Sequence, residues 1–207
     1  MHISEGVLAA PVLAGGAVLA AAGLAAGLRC LRPEQTVPSA MVAALFFLAS
    51  LVHVPLGPAN AHLSLNGLVG LILGWGAFPA IFVALSLQAI LFQFGGLTTL
   101  GVNTLIMAAP AALCALLFRP FLISPRLRLV GVGAFLTGFC APGLSGLIMA
   151  ACLALSGEAF LPLARLVLLG HLPLMLAESL ISLAVVHFLH KVKPEVLAFA
   201  PSSKTSM

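Results

Sequence analysis

The sequence predicts an all-α, polytopic membrane protein of about seven transmembrane helices, with its N-terminus outside and its C-terminus cytoplasmic. Three observations lead there. Of 207 residues, 62% are apolar and 7% are charged, where a soluble globular domain carries about 25% charged residues. The apolar residues fall into runs of the length that crosses a hydrocarbon layer, about 20 helical residues. The basic residues are spaced so that one orientation places nearly all of them on one side of the membrane.

Seven segments follow in order: 7–30, 39–55, 65–77, 78–94, 104–120, 127–155 and 161–189. The third is short. Gly74-Trp75-Gly76-Ala77-Phe78-Pro79 reads as a helix-breaking corner, so residues 65–94 form either two spans or a re-entrant piece and a span. The sixth is long, and Pro142-Gly143 is expected to kink it. With the N-terminus outside, Arg29, Arg32, Arg119, Arg126, Arg128, Lys191, Lys193 and Lys204 all fall inside. Only Arg165, near Glu158, falls outside, and an even number of spans would break this pattern. Residues 1–192 are expected to form a single transmembrane domain, and 193–207 a cytoplasmic tail without fixed structure.

Small residues recur at four-residue spacing in Gly23/Gly27, Gly70/Gly74 and Ala40/Ala44. Such faces let helices approach closely in lipid. Packing explains most of them, and a docking surface for another membrane subunit is the functional alternative. The formal charge of +4 is spread over helix ends and reports topology. It offers no basic cluster to a nucleic acid. Cys30, Cys114, Cys140 and Cys152 are scattered through apolar runs with no CxxC pair, so they read as small packing residues. No GxxxxGK[ST] phosphate loop occurs, nor HExxH or GxSxG. The chain is therefore not expected to be an enzyme, and it has no ATPase motif of its own.

The chemistry concentrates at the start. No basic stretch precedes the first apolar run, so no cleaved signal peptide is expected, and Met1 should be retained before a residue as bulky as His2. The Met1 amine and the His2 amide nitrogen close a five-membered chelate ring around a metal. The His2 amide and its Nδ1 close a six-membered one. Three nitrogens in a plane suit Ni(II), Cu(II) or low-spin Co(II), and do not suit Mg, Ca or Mn. A chance histidine after the initiator is the plain alternative.

A fourth donor is needed, and His62 is the best candidate. It lies in Pro55-Leu56-Gly57-Pro58-Ala59-Asn60-Ala61-His62, read as a Pro/Gly-rich loop on the same side as the N-terminus. His53, at the end of the second segment, and Asn60 stand close to it as surrounding or gating residues, a plain interfacial histidine being the alternative for His53. The segment Gln93-Phe94-Gly95-Gly96-Leu97-Thr98-Thr99-Leu100-Gly101-Val102-Asn103-Thr104 is dense in amide and hydroxyl groups. It either covers the site, with Gln93, Thr98 and Asn103 hydrogen-bonding around the ligands, or is an ordinary connection in which Asn103 or Thr104 caps the fifth helix. His171 and Glu178, seven residues apart, share a helical face within a span. Ionisable residues there are functional candidates. Glu178 would pair with His171 or with a polar group elsewhere, and a purely structural polar pair is the alternative. His187 and His190 read as interfacial.

Three stretches carry a resemblance. Met1-His2-Ile3-Ser4-Glu5-Gly6, His62-Leu63-Ser64-Leu65-Asn66-Gly67-Leu68-Val69-Gly70 and Phe92-Gln93-Phe94-Gly95-Gly96-Leu97-Thr98-Thr99-Leu100-Gly101-Val102-Asn103-Thr104 resemble the CbiM/NikM family. These are the substrate-specific components of energy-coupling-factor importers for cobalt and nickel. The resemblance implies seven transmembrane helices with the N-terminus tucked in to bind metal. It places the ligands on the Met1 amine, the His2 amide and imidazole, and His62. It also implies a transmembrane coupling subunit, a pair of cytoplasmic ATPases and often a small membrane accessory protein. The substrate component would topple in the membrane to release its ion inside, with Ala40/Ala44 as a sliding contact. The chain would then sit in a bacterial or archaeal cytoplasmic membrane, in contact with lipid, with Co2+ or Ni2+ as its cargo and no catalytic cofactor. Familiar CbiM members open Met-His-Ile-Met-Glu-Gly and carry a Ser- and Cys-rich segment before the loop histidine. Here Gly57-Pro58-Ala59-Asn60-Ala61-His62 replaces that segment, which leaves cobalt against nickel open.

Rival readings differ in class. A self-sufficient secondary transporter, proton-coupled through His171 and Glu178, would need no ATPase. A membrane hydrolase would need an open metal position and a base, for which Glu5 is the nearest acid. A structural subunit would bind no metal.

Overall fold

The computed structural model describes residues 2–56 and 59–197, the side chains of 53–56 and 59–61 excepted. Among these residues the helices are α1 (Ala10–Cys30), α2 (Thr36–Ala49), α3 (Asn66–Leu73), α4 (Ala77–Phe92), α5 (Leu100–Leu117), α6 (Arg119–Leu122), α7 (Leu127–Ser156) and α8 (Leu161–Val192). Five stretches are long and apolar enough to cross a membrane: Ala10–Cys30, Asn66–Phe92, Leu100–Leu117, Leu127–Ser156 and Glu158–Val192. The molecule is a multi-pass membrane protein.

The all-helical expectation fails in one place. A small antiparallel sheet joins β1 (His2–Ile3), β2 (His53–Leu56) and β3 (Ala59–His62), in the order β1-β3-β2. The second segment was expected to stay helical to residue 55, yet α2 stops at Ala49. Pro55 keeps the helix from running on: it lacks an N–H and pushes Val54 into extended backbone. Extended chain near the hydrocarbon must pair its polar groups, so the expected loop over 55–62 becomes a hairpin, with the N-terminal strand added to its edge.

The corner at 74–76 also comes from local chemistry. Gly74 adopts φ 56°, ψ −124°, a conformation that only glycine reaches easily. A 3-10 turn over Gly74–Gly76 then separates α3 from α4. The eight residues of α3 are all buried. At 1.5 Å per residue they span about 12 Å, well short of the hydrocarbon thickness. α3 is the central rod of the molecule, and it packs against α5 and α7. A Cβ on Gly70 would come within 2.1 Å of the Ala111 carbonyl oxygen. Gly23 lies under the Phe78 ring, and Gly27 lies on the Trp75 carbonyl. These glycines serve packing. Ala40 and Ala44 do not, because both are exposed on α2.

Contacts fix how deep the start of α5 lies. Gly101 rests on Ala17, and Gly16 on Val102, while Cys30 and Leu116 line one cavity at the other end. α1 and α5 thus run in the same direction, and α5 starts about two turns, or ~10 Å, along α1. The Ala9 N–H donates to Ser156 Oγ at 3.1 Å, tying the start of α1 to the end of α7. α7 and α8 pack along each other as a long hairpin turned at Gly157 (φ 146°). α7 runs through Pro142 as one element, and α8 through Pro173.

The tail differs from expectation too. Pro194–Val196 forms a 3-10 turn, and Val196 and Leu197 pack on the core. Residues 193–197 are therefore part of the fold, and 198–207 lie outside the described residues.

Gly70→Val is expected to lower stability by about 1–3 kcal/mol, the cost of forcing bulk into a packed core. Gly15→Ala is the control, since a Cβ there meets nothing within 4 Å. Thermal unfolding in detergent should show a lower Tm for the first and no loss for the second.

Candidate metal site

The N-terminal strand is held on both edges. On one edge β1 pairs with β3, with His2 opposite Asn60 and Ile3 opposite Ala59. On the other edge a side chain takes the place of a strand. The Ile3 N–H donates to Asn103 Oδ1 at 3.0 Å, and Asn103 Nδ2 donates to the Ile3 carbonyl at 3.1 Å and to Thr99 Oγ1 at 3.2 Å. Asn103 sits one turn inside α5, whose N-cap is Thr99 without a side-chain capping bond. The capping expectation for Asn103 or Thr104 is therefore wrong. Thr104 donates instead to the Leu100 carbonyl within the helix.

The chain is pinned again two residues on. The Glu5 N–H donates to the Gly95 carbonyl at 3.1 Å. Glu5 Oε1 accepts from the Thr98 N–H at 3.0 Å and from Thr98 Oγ1 at 3.2 Å. The Thr98 backbone bond, then its hydroxyl, holds this exposed carboxyl below its ordinary value. Gly95 (φ +78°) and Gly96 (φ +135°) make the turn possible, and a Cβ on Gly96 would strike the Glu5 side chain at 2.0 Å.

These anchors bring two imidazoles together. The His2 and His62 ring centroids lie 4.6 Å apart, with planes inclined at 40°. The residues are 2% and 1% exposed. Phe94 stacks on His2 at 6.2 Å, and Phe46 meets His62 edge-on at 6.4 Å. His62 Nδ1 lies 3.2 Å from the Leu63 carbonyl. A carbonyl only accepts, so Nδ1 carries the proton and Nε2 keeps a lone pair. Nε2 is buried with no hydrogen-bond partner among the described residues. Burial pushes the His62 pKa down to about 4, so the ring is neutral at physiological pH, the form that binds metal.

The other expected residues fall around this pair unevenly. Backbone pairing puts His53 opposite His62 and Asn60 opposite His2. Thr98 acts on Glu5 and so on the strand. Gln93 is exposed and, with Ser4, Glu5, Gly95 and Gly96, lines a cavity of about 430 Å³ beside β1. His171 is buried in α8 against Gly146, its Nδ1 2.5 Å from the Val167 carbonyl. Glu178 hydrogen-bonds Ser64. Met1 lies outside the described residues.

Sequence reading missed Ser64, Phe46 and the Ser50–Gln88 contact, in which the amide of buried Gln88 donates to the Ser50 hydroxyl. A Gln in the middle of an apolar run was the available signal for the last of these.

Two buried imidazoles flanked by Phe94 and Phe46 suit a borderline transition-metal ion rather than Mg or Ca. Among the described residues no group of three or more His, Cys, Asp or Glu side chains is placed to hold an ion.

A sequence profile described as the cobalt uptake substrate-specific transmembrane region, CbiM, matches residues 2–196. A protein of Haemophilus influenzae named for metal transport is 46% identical over 203 residues, covering 95% of this chain and 97% of its own. A fused nickel transport protein, NikMN, of Rhodobacter capsulatus is 41% identical over 101 residues, which are 45% of this chain and 29% of that one. The crystal structure of a transition metal transporter superimposes with a TM-score of 0.75 and 25% identity, covering 93% of each chain.

Asn103→Ala would leave the Ile3 N–H and C=O buried without their partner, at about 1–3 kcal/mol for each orphaned group. Hydrogen exchange read by mass spectrometry should show faster labelling of residues 2–6 in this variant, with α7 and α8 unchanged.

Proposed function

Because the chain belongs to the CbiM family of cobalt-uptake transmembrane regions, we propose that it is the substrate-specific subunit of an ATP-driven energy-coupling-factor importer for Co2+ or Ni2+. The ion is held by four nitrogens: the Met1 amine, the His2 amide, His2 Nδ1 and His62 Nε2. The buried imidazole pair at 4.6 Å carries this reading. The donor chemistry supports it as well, since nitrogens in a tetragonal plane suit these two ions. His53 and Asn60, opposite the two histidines in register, steady the hairpin around the ion. Asn103 and Thr98 do the same for the strand.

The orientation that obeys the basic-residue rule puts the N-terminus outside and calls for an odd number of crossings. The ion then enters from outside, with the start of α5 recessed beneath the outer end of α1. The chain sits in a bacterial or archaeal cytoplasmic membrane. It depends on a separate coupling subunit and an ATPase pair, since the sequence has no phosphate-binding loop. The fused nickel transport relative, in which the matched part is under a third of the polypeptide, supports such partnership. Ala40 and Ala44, with the exposed Val37, Met41 and Leu48, give α2 an uncovered apolar face for the coupling subunit.

Inserting Ala between Met1 and His2 breaks the fused chelate rings, and His62→Ala removes the fourth donor. Metal analysis of untagged, detergent-purified protein should find Co or Ni in the wild type and none in either variant, with membrane insertion intact. Retained metal in the insertion variant would refute the chelate. Acid should weaken loading as well. His62 stays neutral down to about pH 4, so it does not cause loss between pH 8 and pH 5. Loss there comes from protons displaced at the amine and amide, about tenfold in Kd per pH unit for each. A Kd for Co2+ that is equal at pH 8 and pH 5 would exclude amide ligation.

A further inference from the structure

Glu178 of α8 is a fully buried carboxyl group in a helix facing lipid on its other sides. Burying such a group is costly unless its oxygens are bonded. Its Oε1 accepts two hydrogen bonds from one residue, from the Ser64 N–H at 2.6 Å and from Ser64 Oγ at 2.8 Å. Its Oε2 is buried with no hydrogen-bond partner among the described residues. A polar group kept under such conditions calls for an explanation beyond packing.

Ser64 lies two residues after His62. The residue that follows, Leu65, has left-handed backbone at φ 51°, ψ 23°, which a branched aliphatic residue rarely adopts. Such a conformation persists only where its surroundings over-determine it. The surroundings here are complete. His62 Nδ1 bonds the Leu63 carbonyl, Glu178 grips Ser64, and Asn66 Nδ2 donates to Ser145 Oγ at 2.8 Å and to the Met107 carbonyl at 3.3 Å. Of the five residues 62–66, α8 therefore holds the middle one, Ser64, while α5 and α7 hold the last, Asn66.

We propose that Glu178 is a positioning residue for ion capture: its grip on Ser64 fixes where the His62 imidazole stands and ties ion affinity to the position of α8. The proposal rests on the ion-capture reading above. α8 also meets β2, β3 and α3. Gly138 of α7 lets it sit close, since a Cβ there would meet the Glu178 carbonyl at 2.8 Å. Pro173, five residues before Glu178, withholds an N–H from the Leu169 carbonyl and weakens the helix there. Displacement of α8 about that point withdraws the carboxyl from Ser64, frees the strained turn and lets His62 leave the ion.

The test uses the untagged full chain in detergent, titrated with cobalt(II) chloride, reading both Kd and the visible ligand-field spectrum of bound Co(II). Glu178→Ala is expected to raise Kd by about 10–100-fold, the range for residues that orient metal ligands, and to shift the spectrum. Glu178→Gln keeps an oxygen acceptor for Ser64 and should preserve the wild-type spectrum with a much smaller loss. Ser64→Ala, which loses one of the two bonds, should fall between them and remains informative if Glu178→Ala does not fold. Wild-type Kd and spectrum in Ser64→Ala and in any folded Glu178→Ala protein would overturn the latch while leaving the ion site standing. A wild-type chain that binds neither cobalt(II) nor nickel(II) would overturn both.

Discussion

The molecule depends on one constraint: extended backbone inside a membrane protein must have every N–H and C=O satisfied. The N-terminal strand meets it with a β-partner on one edge and Asn103 on the other. The Asn103 carboxamide presents one acceptor and one donor at the spacing of a peptide group, so it substitutes for a strand without extending the sheet. That completes an edge that would otherwise be exposed to lipid or to another chain. The carboxamide holds Ile3, and with it the strand that sets His2 opposite Asn60.

The site's electrostatics follow from where this strand lies. The rings are buried beside Phe46 and Phe94, so the charged form of His62 is disfavoured and the neutral ring persists. A neutral ring with its proton fixed on Nδ1 has no alternative tautomer to sample before it binds an ion. The nearest acid on the strand, Glu5, is exposed and engaged by Thr98. Its charge serves to anchor the chain, so a hydrolase reading loses its base.

The short central helix belongs to the same arrangement. α3 covers less than half of a membrane thickness because the chain before it is spent on the hairpin that carries His62. The corner at Gly74 then returns the chain as α4. The depth of the start of α5, set by the Gly16–Val102 and Gly101–Ala17 contacts, gives the strand and the glycine turn room beside the first turns of α1. Small residues thus decide the site's position as much as its ligands do.

Composition and period alone determined the membrane class and the order of the long helices, because burial in lipid demands long apolar runs. The glycine turn at 95–96 and the corner at 74–76 were also legible, since only glycine tolerates those backbone angles. The sheet was not. Val54, Pro55, Ala59 and Ala61 show no alternation against a polar face, and a two-residue strand has no periodicity to detect. The roles of Asn103 and Glu178 were equally hidden. Their partners, Ile3 and Ser64, are 100 and 114 residues away, and hydrogen bonds across such separations arise only when packed helices bring distant segments together.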